Sequence, residues 1–158
     1  VLLGFNYRLS DIACALGISQ LKKLAANLSR RRKIADHYNA AFAAMPGVIT
    51  PISQSHVNPA WHLYPLRLRL EQLRVGRDEV FRALRAENIG VNVHYIPVHL
   101  HPYYRERFGY RGGEVPVAER AYESLLSLPL FNGMSDDDVE DVIKATRKVV
   151  GGLAIAES

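Results

Sequence analysis

The 158 residues are 48% hydrophobic and 23% charged, with 20 Lys and Arg against 16 Asp and Glu for a formal net charge of +4. A chain of this length buries about 70% of its unfolded surface, and its composition excludes a disordered or collagen-like polymer. The small basic excess suits phosphorylated ligands without requiring nucleic acid, the single Cys14 excludes an intrachain disulfide and fits a reducing cytoplasm, and no apolar run approaches the roughly 20 residues of a membrane span.

Gly4-Phe5-Asn6-Tyr7-Arg8-Leu9-Ser10-Asp11 runs directly into a long amphipathic segment. It sets an amide (Asn6), a phenol (Tyr7) and a guanidinium (Arg8) at a helix N-terminus. Unpaired N–H groups and the positive end of the dipole attract an anion there, and Arg8 can grip it with two prongs. The same residue types serve elsewhere as caps and solvated charges, so this segment alone leaves both uses open. The polar interruptions also mean that the start does not read as a signal peptide.

A helix is expected after Ser10, with Asp11 complementing the dipole. Leu21, Leu24, Leu28, Ala35, Tyr38, Phe42 and Met45 follow steps of three and four, a stripe broken only at Arg31. Lys22, Lys23, Asn27, Arg30 and Lys33 then point outward, and Pro46-Gly47 stops the helix. At up to about 35 residues it is near 50 Å long, which predicts that it reaches another subunit or another domain. Cys14, at an apolar helical position, reads as small core filler. Arg30-Arg31-Arg32-Lys33 invites a nucleic-acid reading, but consecutive residues turn about 100° apart and no aromatic platform accompanies them, so solvated helix charges are the better account.

Residues 47–60 read as a loop. A strand beginning near Trp61 follows, in which Leu66-Arg67-Leu68-Arg69-Leu70 alternates with one apolar face. Arg77 to Glu87 is expected as a helix with Val80, Phe81 and Leu84 inward, ended by Asn88 and Gly90. Val91 to Pro97 alternates as a second strand, Pro116 to Leu126 reads as a helix, and Ser127 to Phe131 as a third, short strand. Ser135 with Asp136, Asp137 and Asp138 caps a last helix that buries Val139, Val142, Ile143 and Val149 and ends at Gly151-Gly152. The class is α+β: a long N-terminal helix and a small, mostly antiparallel sheet covered by helices, without repeats.

His94, His99 and His101 lie within eight residues and raise a zinc site as rival chemistry. On a strand His99 and His101 share a face while His94 points away, and no HExxH helix or Cys pair completes a ligand set, so the geometry is poor for a metal.

Three blocks, in order, carry a resemblance. The opening segment extended through Ile12-Ala13-Cys14-Ala15-Leu16-Gly17-Ile18-Ser19-Gln20-Leu21-Lys22-Lys23-Leu24, then Trp61-His62-Leu63-Tyr64-Pro65-Leu66-Arg67-Leu68, then Val93-His94-Tyr95-Ile96-Pro97-Val98-His99-Leu100-His101-Pro102-Tyr103-Tyr104 resemble the DegT/DnrJ/StrS family of sugar aminotransferases. The last block is close to the UDP-4-keto-sugar transaminases of pseudaminic acid synthesis. The resemblance implies the C-terminal part of a fold-type I, pyridoxal phosphate-dependent enzyme, with residues 1–46 as cofactor-phosphate segment and connecting helix and 47–158 as the small domain.

By that resemblance, Asn6 reaches across a homodimer interface to the cofactor phosphate. Arg8, with Tyr7, lies near the diphosphate of a nucleotide sugar. His94 and Tyr95 line the substrate cleft, with His99, Tyr103 and Tyr104 beside them. Glutamate is the implied amino donor and the C4 keto carbon of a UDP-linked deoxysugar the acceptor. The family's Schiff-base lysine belongs to a Ser-x-His-x-x-Lys motif that this sequence lacks. Lys22, Lys23, Lys33, Lys144 and Lys148 all fall in polar helical stretches, whereas a covalent lysine needs a desolvated site. The chain therefore reads as a partial one, starting at Val1 rather than Met and inactive alone as a transaminase. Two other readings stay open: a non-catalytic binding or interaction domain, and a metal site on the histidines.

Overall fold

A computed structural model describes Phe5 and residues 7–155. Helix α1 (Asp11–Phe42) starts at Ser10, whose extended backbone and Oγ, accepting from Ala13 N at 3.3 Å, cap it. Only its last turns pack: Ile34, Ala35, Tyr38 and Phe42 are buried, whereas Leu21 and Leu24 of the expected stripe are 67% and 47% exposed. Cys14 is exposed too, which corrects its reading as core filler. The first half of α1 is apolar without a neighbour among the described residues, so periodicity marked its faces but not what covers them.

Strands β1 (Val48–Ile49), β2 (Tyr64–Leu68) and β3 (Leu125–Leu128) form one antiparallel sheet in the order β1-β2-β3, with Val48 opposite Leu68 and Tyr64 opposite Leu128. On β2 the period of two holds, with Tyr64, Leu66 and Leu68 buried and Arg67 exposed. Helices α2 (Arg77–Ala86), α3 (Pro102–Phe108), α4 (Pro116–Ser124) and α5 (Asp136–Leu153) complete the chain. Val80 and Leu84 of α2, Val139, Val142, Ile143 and Val149 of α5, and the end of α1 join the sheet residues in a single core cluster. Ser135 caps α5 in a reciprocal box with Asp138, as expected.

Several expected boundaries are corrected. The strand begins at Tyr64, not Trp61, because the Trp61 carbonyl accepts from Arg31 and its backbone has a positive φ of 48°. β1 lies inside the expected loop 47–60. Val91 to Pro97 is no strand: Asn92 and Ser127 exchange one pair of backbone hydrogen bonds, at 3.1 and 2.8 Å, and pairing goes no further. The third strand is Leu125–Leu128 and not Ser127 to Phe131, since Pro129 brings no N–H to continue the ladder. α4 accordingly ends at Ser124 rather than Leu126, while α5 continues through Gly151-Gly152 to Leu153.

Helix α1 closes three residues before Met45, and Gly47 turns the chain into β1 with φ 81°. A Cβ there would meet Leu73 Cδ2 at 2.9 Å and Val150 Cγ1 at 3.0 Å. Gly47→Ala is therefore expected to destabilise the chain by about 1–3 kcal/mol, read as a lower urea midpoint at unchanged slope.

Candidate functional site

The expected site residues fall into two separate groups. At the head of α1, Tyr7 is 88% exposed and sits 5.5 Å, ring to ring, from Phe5, and Arg8 is exposed beside it. Asn6, the expected cofactor-phosphate ligand, lies outside the described residues. From Arg8 to Ile34, the first buried residue of α1, is about 40 Å at the helical rise. The intervening apolar residues Leu9, Ile12, Leu16 and Ile18 are 75%, 84%, 61% and 58% exposed.

The second group lies beside β3 and α4. His94 and Tyr95 pack edge to face at 4.6 Å, across a peptide bond that is cis. Nδ1 of His94 is 2.8 Å from Oγ of Ser127, a buried β3 residue whose backbone also pairs with Asn92, so the ring is tied to the sheet while Tyr95 is 74% exposed. His99 belongs to a 3-10 turn, Val98–Leu100, rather than a strand. The expected shared face with His101 therefore does not form; His101 instead precedes α3 as its N-cap residue.

His99 donates from Nε2 to Glu119 at 2.8 Å, with the two side chains 10% and 18% exposed. Glu119 lies in the first turn of α4, begun by Pro116, and its carboxylate turns back over the preceding loop. It accepts from Gly113 N at 2.8 and 2.9 Å and from Val115 N at 3.2 Å. Glu114 accepts from the amides of Arg111 and Gly112, both at 2.8 Å. The His99 hydrogen bond and then the Gly113 amide hold the Glu119 carboxyl below the usual carboxylate range, and the Arg111 amide heads the causes that lower Glu114. Tyr110 contacts the His99 ring at 5.7 Å and continues through Phe108 and Tyr104 to Tyr103, an aromatic run on the outside of α3. Tyr103 is 62% exposed.

Ligand atoms of His99, Glu114 and Glu119 lie within 4.8 Å of one another. This is a different set from the three histidines weighed as rival chemistry, and four backbone N–H groups together with His99 already donate to the two carboxylates, an arrangement that orders the loop.

Two residues that position these groups, Ser127 and Glu119, were not singled out from the sequence, and Arg31 was noted there only as a break in the stripe and part of a basic run. Arg31, the break in the α1 stripe, donates to the carbonyls of Trp61 at 2.9 Å and His62 at 3.2 Å and anchors the entry to β2. Its neighbours are likewise engaged. Arg30 bonds Asp136 at 2.6 Å and the Met134 carbonyl, Arg32 bonds Asn58, and Lys33 lies 3.7 Å from Asp136. The basic run ties α1 to α5 and the loops. The break in periodicity was the one signal for Arg31; Glu119 and Ser127 act through partners distant in sequence.

Both groups, with the helix and sheet between them, fall inside the match of residues 1–147 to the DegT/DnrJ/EryC1/StrS aminotransferase family. The chain belongs to this family. It is 47% identical over 150 residues to the spore coat polysaccharide biosynthesis protein SpsC of Bacillus subtilis, covering 94% of this chain and 39% of SpsC. Among solved structures, Helicobacter pylori PseC, an aminotransferase involved in pseudaminic acid biosynthesis, superposes with a TM-score of 0.85 at 25% identity, over 97% of this chain and 40% of that one. The PLP form of the sugar aminotransferase Spr1654 from Streptococcus pneumoniae gives 0.84 at 28% identity, over 94% and 37%. The chain thus spans about two fifths of the length of its curated relatives. As a DegT/DnrJ/EryC1/StrS aminotransferase domain, it has the expected architecture of long helix, antiparallel sheet and covering helices.

Proposed function

We propose that this chain is the C-terminal, substrate-side part of a pyridoxal phosphate-dependent sugar aminotransferase that moves an amino group from glutamate to a keto carbon, C4, of a UDP-linked deoxysugar in the cytoplasm. The family match across residues 1–147 carries this reading. The keto sugar of the pseudaminic acid pathway is favoured by the wording of residues 94–104 and by the likeness to PseC. Residues 1–46 are then the phosphate segment and connecting arm, and 47–158 the small domain.

The donor set fits a supporting role toward the cofactor rather than the covalent one. An exposed guanidinium and phenol at the head of a helix suit a phosphate or diphosphate. The lysines do not suit a covalent bond. Lys33, Lys144 and Lys148 pair with Asp136, Asp141 and Glu87 with side chains 70–72% exposed, and Lys22 and Lys23 are exposed on α1. Pyridoxal phosphate, when bound, supplies the electron sink for the amino transfer. Asn6 would hold its phosphate from across a homodimer, and Arg8 with Tyr7 would grip the diphosphate of the sugar nucleotide. His94, fixed by Ser127, and His99, fixed by Glu119, would meet the sugar together with the exposed Tyr95. Because the head of α1 stands about 40 Å, at the helical rise, from Ile34, where the helix first enters the core, a complete pocket takes groups from a second copy or from a larger polypeptide.

Titrating a UDP-linked sugar into the labelled chain and following amide and ring signals is expected to move His94, Tyr95 and His99, whereas UDP alone is expected to move Tyr7 and Arg8. Shifts that leave this segment untouched would overturn the substrate assignment. The purified chain supplied with pyridoxal phosphate and glutamate is expected to form no 2-oxoglutarate above background, and turnover by the chain alone would overturn the supporting role.

A further inference from the structure

Among the described residues, the hydrogen bonds around His99 are asymmetric. Nε2 faces the Glu119 carboxylate at 2.8 Å, and Nδ1 has no protein partner. Thr146 Oγ1 is the one buried, unpartnered side-chain polar atom found among those residues, so the free Nδ1 reaches solvent. His94 differs: its Nδ1 meets a serine hydroxyl, which can donate or accept and leaves the ring's proton undetermined. A carboxylate can only accept. Glu119 is itself immobilised, since Gly113 N, with φ 93° at Gly113, and Val115 N both donate to it and Pro116 starts the helix that carries it. The groups facing the His99 ring are Glu119 from α4, Glu114 from the loop within 4.8 Å, and the Tyr110 ring at 5.7 Å.

We propose that Glu119 is a positioning residue. Its carboxylate, locked by the 111–115 loop, fixes the Nε2–H tautomer whenever the His99 ring is neutral, so that Nδ1 is then the acceptor for a hydroxyl or N–H of the sugar substrate. The proposal rests on the substrate reading given above only in naming what Nδ1 receives. It means that the second group of the site is preorganised before any ligand arrives, with the recognition atom chosen by a residue that does not touch the ligand. It also sorts the substituents that would be accepted at this point: a group able to donate is favoured, and a bare acceptor meets lone-pair repulsion.

The test is a long-range proton–nitrogen spectrum of the chain labelled in histidine, taken at mildly alkaline pH. The unsubstituted chain is expected to show His99 as the Nε2–H form alone. Glu119→Ala is expected to give a mixture of tautomers and to speed amide exchange at Gly113 at least ~10-fold. Glu119→Gln should restore the Nε2–H form, because its carbonyl oxygen can take the place of Oε1, which receives His99, Gly113 and Val115. An Nδ1–H form in the unsubstituted chain overturns the proposal without relying on any variant. An Ala variant with tautomer and exchange unchanged overturns it as well. If Nε2–H is found but a UDP-linked sugar leaves the His99 ring signals unmoved, the positioning stands and the assignment of its ligand falls.

Discussion

Replacing Tyr38 by alanine is expected to cost about 3–5 kcal/mol, a large part of the stability of a domain of this size. Tyr38 is fully buried where α1 meets the sheet. Its ring lies 4.9 Å from Tyr64, edge to face, and 5.9 Å from Phe42, and its hydroxyl donates to the Pro129 carbonyl at 2.9 Å. Alanine would leave a cavity, an unpaired carbonyl and a helix without its main anchor. Tyr38→Phe removes only the hydrogen bond and is expected to cost about 1–3 kcal/mol. Urea denaturation of both variants measures the difference, and an alanine variant within 1 kcal/mol of the parent would show that α1 is held by other contacts.

The same ring pair predicts a pH dependence. Burial first, and then the charge of Asp138, pushes the Tyr38 phenol well above its ordinary value; burial and then Tyr38 do the same to Tyr64, whose hydroxyl donates to Asn39 at 2.7 Å. A phenol with a raised folded-state pKa contributes stability that is intact below its unfolded pKa and is lost as pH climbs from there toward the folded value. Urea midpoints are expected to hold up to about pH 10 and to fall above it, less steeply in Tyr38→Phe.

The second large effect concerns the uncovered half of α1. Ile12 and Leu16 share one side of the helix and Ile18 and Leu21 the other, Leu9 lies just ahead of it, and all are more than half exposed. A helix that is apolar on opposite sides is one that other surfaces sandwich. The purified chain is expected to self-associate, with light scattering giving at least about twice the monomer mass at tens of micromolar protein. Ile12→Glu with Leu16→Glu should return it to monomer while leaving the urea midpoint within about 0.5 kcal/mol, since neither side chain touches the core. A monomeric parent chain would contradict this account of the helix.

What could be read from the residues alone followed the range of the interactions involved. α2 and α5 were legible because their caps and apolar faces are local: Ser135 finds Asp138 three residues on, and Val139, Val142 and Ile143 repeat along one side. β2 was legible in its alternation but not in its start, which depends on Arg31 thirty residues earlier. β1 has two residues and exists only through pairing with Leu68 and Arg67, so its own composition carried little of it. The His-rich segment alternates like a strand, yet after Asn92 it leaves the sheet and its rings are held by side chains, Ser127 and Glu119, that no local pattern connects to them. Of the candidate site, the residues and the two segments that carry them were named beforehand; how each ring is held was not legible.

The arm formed by α1 also has a mechanical side. Pivoting on Ile34, Tyr38 and Phe42, a tilt of about 5° would swing Arg8 by roughly 3 Å at a reach of about 40 Å. Aromatic packing at the fulcrum thus governs the aim of a guanidinium far away, and under the proposed function a mild substitution at Phe42 would misdirect its grip on an anion while the fold itself stays intact.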